Sequence, residues 1–550
     1  MNSSKLKKGV LAVILLASSS LYFAVLNPQR FGSYYDDSIY VTTAKALATN
    51  QGYRIISLPY EPVQTLYPPL YPLFLSVIWR VYPKFPDNIF WMMIFSIVAT
   101  VGFLALTYRY LTKYHYMHTW AALIVIGIAG INWRTMLLAT TLLSELTYAV
   151  LSVVALSLAE TVDEDRTTLK SVALAGLGAG FAFLTRTSGA ALFGAFVLYY
   201  VLRKQWRQSL VAGTVGAIFV IGWSAWCYSH RTEVTGINTG YFTSYWHMFR
   251  ESFQTLRSLN DTSPVATFLN ILGTNFLLLL VASPALACFG IRYDLPQALL
   301  LFLVSLTFIT IVTGFIRRFK RGPRLLEIYV SLYLLLHLLP AGVAYDRYLL
   351  PIVPFLLYYI VSEASAIISS IKAALNSGKF SKRLGAGSLG FALVVIIGVL
   401  LYSNVSMTYA SLASASSANS DQWAVDPQAI EWVRENTSQS DILACYRDPL
   451  FYLFTGRKAV ISSPLILFNT VPYQTRKPSQ SEFGTAFLKL VQESNSNYVI
   501  LSRDDFKFES DQYRICLEEL ISERRETFIR VFQSQDGRSE IYRIENKTTR

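Results

Sequence analysis

Long apolar runs recur along this chain, and many approach or exceed the roughly 20 residues that a helix needs to cross a bilayer. The composition agrees, because 53% of the 550 residues are hydrophobic and only 15% are charged. Inside hydrocarbon the backbone polar groups must pair within the protein, so we expect these runs to be helices. The predicted fold class is an α-helical polytopic membrane protein of about 11 transmembrane helices with a C-terminal soluble α/β domain. The spans are predicted at residues 9–26, 88–110, 118–133, 137–159, 171–185, 188–202, 209–228, 296–316, 325–341, 349–370 and 385–402.

The basic residues predict the orientation of this core. A net charge of +13 would suit a nucleic-acid partner, but the Lys and Arg residues lie in short connections between apolar runs. The positive-inside rule explains that clustering, so no nucleic-acid partner is expected. The five basic connections, placed on the cytoplasmic side, are residues 107–118, 164–170, 203–208, 317–324 and 372–383. With a cytoplasmic N-terminus the C-terminus is then extracytoplasmic, and we expect a multi-pass membrane protein.

Two apolar runs admit more than one interpretation. The run Gly9–Leu26 follows three lysines and could be a secretory signal peptide, but no convincing cleavage site follows it, so an uncleaved span is favoured. If the run 265–290 crossed the membrane fully, the basic segment 317–324 would lie outside. We therefore expect 265–290 to be re-entrant or interfacial, covered by protein or by a watery cavity.

Three regions follow one another along the chain. Residues 1–402 are predicted to form the membrane core, in which the first outer loop, 27–88, is long. Residues 403–422 are a Ser/Ala-rich linker by composition, and 423–550 are predicted to be an extracytoplasmic α/β domain. Its predicted helices are 427–436 and 485–495, and its predicted strands are 441–446, 498–503, 526–533 and 539–545. The polar, aromatic loop 229–264 is either a lid over a groove or a spacer.

Two adjacent acids, Asp36 and Asp37, lie in the first outer loop. They stand at the start of a helix predicted over 37–49, whose apolar face is expected to lie on the membrane. One Asp at a helix N-terminus is explained by capping and by the helix dipole. Because two adjacent carboxylates repel, the second favours a functional role for the pair.

Two further charged residues lie near the outer ends of predicted spans. Glu145 is a carboxylate in an apolar helix, where burial is costly, so it either borders an aqueous groove or is a structural residue that reaches the interface. Arg186 lies in "FLTRTSG" between two short apolar helices. Its guanidinium suits a phosphate, with interface anchoring as the alternative.

The segment "AYDRYLLPIVPF" begins the tenth predicted span with Arg347 and Tyr348. Arg347 is expected either to bind a phosphate or to pair with the adjacent Asp346. In the first outer loop, Tyr67 precedes a Pro-Pro pair that fixes an extended entry into a short helix.

The predicted topology brings these residues to one outer surface of the membrane. Carboxylates beside arginines at headgroup level suit a reaction in which an acid accepts a proton from a hydroxyl while cations hold a departing phosphate. The residues brought together are Asp36, Asp37, Tyr67, Glu145, Arg186, Arg347 and Tyr348.

Four motifs in this order resemble those of the C-type membrane glycosyltransferases, over residues 1 to about 370. They are "DDSIYVTTAKAL", "YPPLYPLFL", "FLTRTSG" and "DRYLLPIVPF". The resemblance is to the branch that contains the protein O-mannosyltransferases and the bacterial aminoarabinose transferases that modify lipid A. It implies an enzyme that moves a sugar, with inversion, from a polyprenyl-phosphate donor to a hydroxyl of a lipid, glycan or protein acceptor.

The resemblance also implies roles for the residues. Asp36 would be the general base, with Asp37 as its neighbour and a further catalytic candidate, and Arg186 and Arg347 would stabilise the lipid phosphate leaving group. Because the predicted topology brings them to the same surface, Glu145 is a further catalytic candidate, and Tyr67 and Tyr348 are further donor-binding candidates. No cofactor is required by this chemistry, and a divalent metal is compatible with it but not indicated. The expected partners are the donor, the acceptor and membrane lipids, and the resemblance implies a bacterial inner (plasma) membrane as the location.

Two departures leave the acceptor open. Tyr67 stands where the mannosyltransferases typically carry His, and the C-terminal domain is unlike the β-trefoil insert of the eukaryotic members. Arg447 and Asp448 in that domain are expected either to touch the acceptor or to bridge the domain to the membrane core. Cys445 and Cys516 would be able to pair there as a disulfide.

The alternative hypothesis is a polytopic transporter or flippase for a lipid-linked or polar substrate. Transporters often show internal repeats and binding sites at the bilayer midplane. No clear repeat is found here, and the polar residues gather at one face. A noncatalytic scaffold is a third hypothesis.

Overall fold

The structure is a computed structural model of the whole chain. It describes residues 3–164, 169–230, 263–291, 295–322, 324–339, 345–376, 380–416, 424–462, 479–503 and 511–545, together with residues 250, 253, 254 and 257. The predicted lid or spacer at 229–264 lies almost entirely outside the described residues.

The described chain folds as a helical core followed by a small α/β domain, which confirms the predicted fold class. The helices up to residue 229 are α1 (Ser3–Val25), α2 (Tyr35–Ala48), α3 (Leu70–Val81), α4 (Asn88–Lys113), α5 (Thr119–Gly130), α6 (Trp133–Ala139), α7 (Glu145–Glu164), α8 (Leu169–Thr185), α9 (Ala190–Leu202) and α10 (Trp206–Ser229). Those that follow are α11 (Pro264–Asn275), α12 (Ser283–Phe289), α13 (Gln297–Phe319), α14 (Leu325–Leu336), α15 (Tyr345–Leu349), α16 (Val353–Leu375) and α17 (Phe380–Ser416).

Six helical stretches among the described residues are long and apolar enough to cross a membrane. The count is seven if α5 and α6, which meet at an angle of 61°, form one broken span. Several predicted spans correspond to shorter apolar helices, among them α8, α14 and the helical segment that contains α9. The total of eleven crossings therefore stays a prediction.

The run 264–289 is helical throughout, with α11 and α12 joined by a π-helical segment, Phe276–Ala282. By length and composition it is a candidate span. Its contacts favour another placement, because Asn275 Nδ2 donates to the Leu338 carbonyl and Asn132 Nδ2 donates to the Cys288 carbonyl. Leu338 and Asn132 both lie at the end of the core that carries the charged cluster described below. An interfacial or re-entrant placement remains our prediction.

Basic residues meet at the opposite end of the core. Arg324 Nη1 donates to the Tyr114 carbonyl at 3.4 Å, and the Arg318 guanidinium lies 4.8 Å from the ring of Tyr358. Arg317 forms a bidentate ion pair with Glu363, with hydrogen bonds of 2.7 and 2.8 Å. Two of the basic connections predicted to be cytoplasmic thus lie side by side.

Helix α17 continues to Ser416, so residues 403–416 are helical rather than part of the predicted linker. Thr408 Oγ1 donates to the Ile131 carbonyl at 2.8 Å, and Ser403 Oγ donates to the Gly290 carbonyl at 2.9 Å. Composition alone does not show these contacts, because Ser and Ala are tolerated in a helix that packs against others.

The C-terminal domain contains a five-stranded sheet in the order β2-β1-β3-β5-β4. Its strands are β1 (Ile442–Cys445), β2 (Lys458–Ile461), β3 (Tyr498–Ser502), β4 (Phe528–Gln533) and β5 (Ser539–Ile544). Its helices are α18 (Pro427–Asn436), α19 (Asp448–Thr455), α20 (Gln480–Ser494) and α21 (Asp511–Glu523). Strand β1 pairs in parallel with β2 and β3, whereas β5 is antiparallel to β3 and β4. Strand β2 and helices α19 and α21 were not predicted, and both β2 and α19 contact the first outer loop of the membrane core.

Helix α2 is buried rather than laid on the membrane, which corrects the sequence-based expectation. Its residues Tyr40, Val41 and Ala44 have exposed fractions of 3% or less. The helix packs between α3 and α19. An apolar helix face is satisfied equally well by protein or by lipid, so periodicity did not distinguish the two.

Candidate active site

The charged residues of the site lie where helices begin or break. Helix α6 ends at Ala139, and Thr140–Ser144 is not helical, so Glu145 begins α7 instead of lying within a span. Arg186 is extended, at φ −148° and ψ 135°, between α8 and a short 3-10 turn. Arg347 lies in the five-residue helix α15, and Asp36 lies in the first turn of α2. Breaks of this kind bring polar side chains to one place within an apolar bundle.

Arg347 is at the centre of the cluster. Its Nη2 lies 2.7 Å from Asp36 Oδ2, and its Nε donates to Glu145 Oε1. Its guanidinium also lies 5.7 Å from the centre of the Tyr34 ring. One arginine therefore joins the carboxylates of two segments that are 109 residues apart in the sequence.

Arg186 approaches the same carboxylate from the other side. Its Nη1 lies 3.0 Å from Glu145 Oε1 and donates to Ser144 Oγ, also at 3.0 Å. The guanidinium stacks 5.3 Å from the ring of Tyr348. Glu145 thus holds both arginines through one oxygen, while its Oε2 is buried without a hydrogen-bond partner among the described residues.

Tyr67 is part of the cluster because it contacts Asp36 directly. Its hydroxyl donates to Asp36 Oδ1 at 2.6 Å, and its ring lies 4.8 Å from that of Tyr40. Tyr53 donates its hydroxyl to the Tyr67 carbonyl at 2.7 Å. The Pro-Pro entry into α3 therefore presents a hydrogen-bond donor to the acid.

Asp36 is the accessible carboxylate of the cluster. Its side chain is 27% exposed, against 1% for Glu145. Burial alone would raise the pKa of Asp36, but the charge of Arg347 and the hydrogen bond from Tyr67 outweigh it and hold that pKa below its usual value. Asp36 is thus ionised at neutral pH and able to accept a proton.

Asp37 points away from the cluster. It is 1% exposed, and its Oδ2 accepts a hydrogen bond from the Gly32 backbone N–H at 3.0 Å. Its Oδ1 has no hydrogen-bond partner in the described part of the chain. Burial raises the pKa of Asp37 to about 8, so the group is mainly neutral at pH 7. The two adjacent acids therefore avoid the mutual repulsion that the sequence suggested.

Asp346 and Arg347 do not pair with each other, although pairing was one of the two expectations for Arg347. Asp346 forms an ion pair with Arg134, at the start of α6, which leaves Arg347 to the two carboxylates of the cluster. Neighbours in a short helix project in different directions, so adjacency in sequence was a poor guide to pairing.

Several polar residues beside the cluster were not singled out from the sequence. Tyr40 Oη lies 3.1 Å from Ser144 Oγ, and Ser188 Oγ lies 3.2 Å from His337 Nε2. Tyr148 reaches Tyr329, hydroxyl to hydroxyl, at 3.0 Å. For Ser144 and Ser188 the sequence offers one signal, which is closeness to a predicted site residue. Ser144 directly precedes Glu145, and Ser188 follows Arg186 by two positions.

The described residues also bear on metal binding and on disulfide formation. Within them no three His, Cys, Asp or Glu side chains are grouped so as to hold a metal ion. Cys445 and Cys516 are both buried, and no disulfide joins them.

Arg447 and Asp448 bridge the C-terminal domain to α2 instead of facing open solvent. Arg447 Nη1 donates to the Gly32 carbonyl, and Tyr35 donates its hydroxyl to Asp448 Oδ1 at 2.9 Å. The rings of Phe85 and Phe454 add an apolar contact at 4.9 Å. Of the two sequence-based alternatives for these residues, these contacts bear out the bridging one.

The fold is similar to that of two kinds of solved membrane protein. One is the archaeal oligosaccharyltransferase AglB from Archaeoglobus fulgidus, solved with an inhibitory peptide and a dolichol-phosphate, with a TM-score of 0.54, 13% identity, and 99% of this chain and 75% of that chain covered. The other is ArnT from Cupriavidus metallidurans. Its apo structure gives a TM-score of 0.54 at 12% identity, with 98% of both chains covered. The structure of ArnT bound to undecaprenyl phosphate gives 0.51 at 12% identity, again with 98% of both chains covered.

No protein-family model matches the sequence, and no curated protein does. The structural similarity confirms the resemblance in fold to the C-type membrane glycosyltransferases. At 12–13% identity it shows the fold alone.

Proposed function

We propose that the protein is a membrane glycosyltransferase that moves a sugar from a polyprenyl-phosphate donor to an acceptor hydroxyl on the outer face of the membrane. The observation that carries this proposal is the shared arginine. Arg347 contacts the accessible carboxylate of Asp36 and the buried carboxylate of Glu145, and Arg186 contacts Glu145 as well. An accessible base thus lies beside two cations, as this reaction requires.

In the proposed step the acceptor oxygen attacks the anomeric carbon while its proton passes to Asp36. The bond between that carbon and the phosphate oxygen breaks on the opposite face, so the configuration is inverted. The electron pair of the broken bond leaves with the polyprenyl phosphate, which gains one negative charge. Arg186 and Arg347 stabilise that charge.

The other residues position these groups. Glu145 holds both guanidiniums in place through one oxygen, which makes it a positioning residue in this proposal rather than a second acid catalyst. Tyr67 orients Asp36 through its 2.6 Å hydrogen bond. Tyr348 supports Arg186 from its ring face.

The experiment is transfer from radiolabelled polyprenyl-phosphate sugars by the full-length protein in proteoliposomes supplied with envelope extract as the acceptor source. Asp36→Asn is expected to slow transfer by about 10²–10⁴-fold, which is the usual contribution of a general base. Asp87→Asn is the matched control, because Asp87 lies in the same outer loop and forms an exposed pair with Lys84. Its transfer is expected to match the wild type.

Two results would contradict the proposal. Equal transfer by the wild type and Asp36→Asn would remove Asp36 as the base. Movement of donor lipid between leaflets without any sugar transfer by the wild type would instead favour the flippase.

A further inference from the structure

Three contacts converge on Gly32, which precedes helix α2. Its N–H donates to Asp37 Oδ2 at 3.0 Å, and its carbonyl accepts a hydrogen bond from Arg447 Nη1. Its φ is +86°, and a Cβ added there would overlap the side chain of Leu450. One residue is thus held from the α2 side by Asp37 and from the C-terminal domain by Arg447 and Leu450.

A second link lies next to the proposed base. Tyr35 directly precedes Asp36, and its hydroxyl donates to Asp448 Oδ1 at 2.9 Å. Asp448 is fully buried at the start of α19. Ile39, one turn further along α2, belongs to the apolar core of the C-terminal domain. The first turn of α2 is therefore fixed by the domain on the side opposite to the charged cluster.

We propose that Arg447, Asp448 and Leu450 of the C-terminal domain are positioning residues for Asp36, acting through Gly32 and Tyr35. This inference rests on the proposed function, because it treats Asp36 as the base. It assigns the second aspartate of the pair to the junction, where Asp37 holds the Gly32 N–H. A mainly neutral Asp37 does this without repelling the charge of Asp36.

The residues that would bind the donor and the residue that would activate the acceptor are held by different parts of the molecule. Arg186 and Arg347, which would hold the donor phosphate, lie on the membrane core, whereas Asp36 lies on a helix fixed by the domain. Loosening the junction should misplace the base relative to the donor. We therefore expect kcat to fall while the KM for the donor stays within about twofold, since small displacements of a reacting group cost rate more than binding.

The experiment compares Arg447→Met, Arg447→Lys and the matched control Arg530→Met in the full-length protein. Arg530 lies in β4 of the same domain and pairs with Glu540 at 3.0 Å on the exposed surface. The first readout is amide hydrogen exchange of the peptide covering residues 31–48. The second is the kinetics of sugar transfer.

Arg447→Met is expected to raise exchange at the start of α2 and to lower kcat by about tenfold, the equivalent of one hydrogen bond to a charged group. Arg447→Lys should recover part of both effects, and Arg530→Met should change neither. Gly32→Ala should mimic Arg447→Met, because alanine is strained at a φ of +86° and its Cβ would overlap the side chain of Leu450.

Unchanged exchange and kcat in both Arg447→Met and Gly32→Ala would overturn the proposal, as would an equal loss in Arg530→Met. Failure of the proposed function is seen separately, because the wild type would then transfer no sugar. The exchange data would still decide whether Arg447 fixes α2.

Discussion

The two sides of helix α2 contain acids of the same type in opposite environments. On the side of the membrane core, Asp36 is partly exposed and contacts Arg347 and Tyr67. Asp37 is buried instead, and its Oδ2 accepts a hydrogen bond from the backbone N–H of Gly32, whose carbonyl accepts one from Arg447 of the C-terminal domain. The first environment favours the charged carboxylate and the second favours the neutral acid. Adjacent identical residues can therefore serve separate tasks when a helix lies between two domains.

Among the variants that test this comparison, Arg347→Gln is expected to have the largest effect on transfer and on stability. It leaves Asp36 without its cation and Glu145 buried beside Arg186 alone, and loss of one partner of a buried ion pair costs about 3–5 kcal/mol. Transfer should become undetectable, and Tm in detergent should fall. The double variant Glu145→Gln/Arg347→Gln should regain part of the Tm but none of the transfer. A double variant as unstable as the single one would disprove the central role of Arg347.

Glu145→Gln tests whether the accessible acid differs in role from the buried one. Both Glu145→Gln and Asp36→Asn remove one negative charge, yet only Asp36 is proposed to accept the proton. We expect Glu145→Gln to lower kcat/KM by about tenfold, because the Gln oxygen can still accept from both arginines but no longer carries a negative charge. The measurement is transfer rate against donor concentration. Equal losses in the two variants would remove the distinction between base and positioning residue.

Tyr67→Phe should have a smaller effect with a clear pH signature. The Tyr67 hydroxyl helps to lower the pKa of Asp36, so its removal should raise that pKa. The acidic limb of the pH–rate profile should therefore move to higher pH, and transfer at neutral pH should fall by less than about tenfold. Tyr82→Phe in the same outer loop is the control. An unshifted acidic limb would show that the hydrogen bond does not act on the base.

Asp37→Asn should act mainly on stability, and only as pH rises. The pKa of Asp37 is about 8 in the folded protein and near 3.8 when the side chain is solvated, so folding takes up a proton between these values. In the wild type the stability contributed by this group is fully present below about pH 4. It falls by up to about 1.4 kcal/mol per pH unit until about pH 8.

Asn cannot ionise, so the variant should lack this decline. Relative to Asp37→Asn, the wild-type Tm in detergent should drop between pH 5 and pH 8. Parallel Tm curves for the two proteins would mean that Asp37 is charged in the fold.

The sequence predicted the parts of this molecule that depend on local pattern. Apolar runs and basic connections identified the helical core, and alternating strands identified the C-terminal domain. They did not show that α17 continues to Ser416 or that Thr140–Ser144 unwinds before Glu145. Both features depend on contacts made by distant segments, such as the bond from Thr408 to the Ile131 carbonyl.

The site was predictable as a set of residues but not as a set of pairs. Glu145 is predicted because a carboxylate is costly in an apolar helix, and Asp36 because two adjacent acids repel. Arg186 and Arg347 are predicted because a guanidinium suits a phosphate. That Arg347 binds two acids while Asp346 pairs with Arg134 depends on side-chain directions in a folded bundle.

The helix starts at the site affect its electrostatic balance. Asp36 and Glu145 lie in the first turns of α2 and α7, and their charges formally cancel those of Arg186 and Arg347. The N-terminal ends of the two helices add about half a positive charge each beside the carboxylates, and the C-terminal end of α8, which directly precedes Arg186, adds a negative partial charge of similar size. In the proposed reaction, protonation of Asp36 would remove one negative charge from the cluster in the same step in which the departing phosphate gains its second charge. The total charge of the cluster and the phosphate would therefore stay constant.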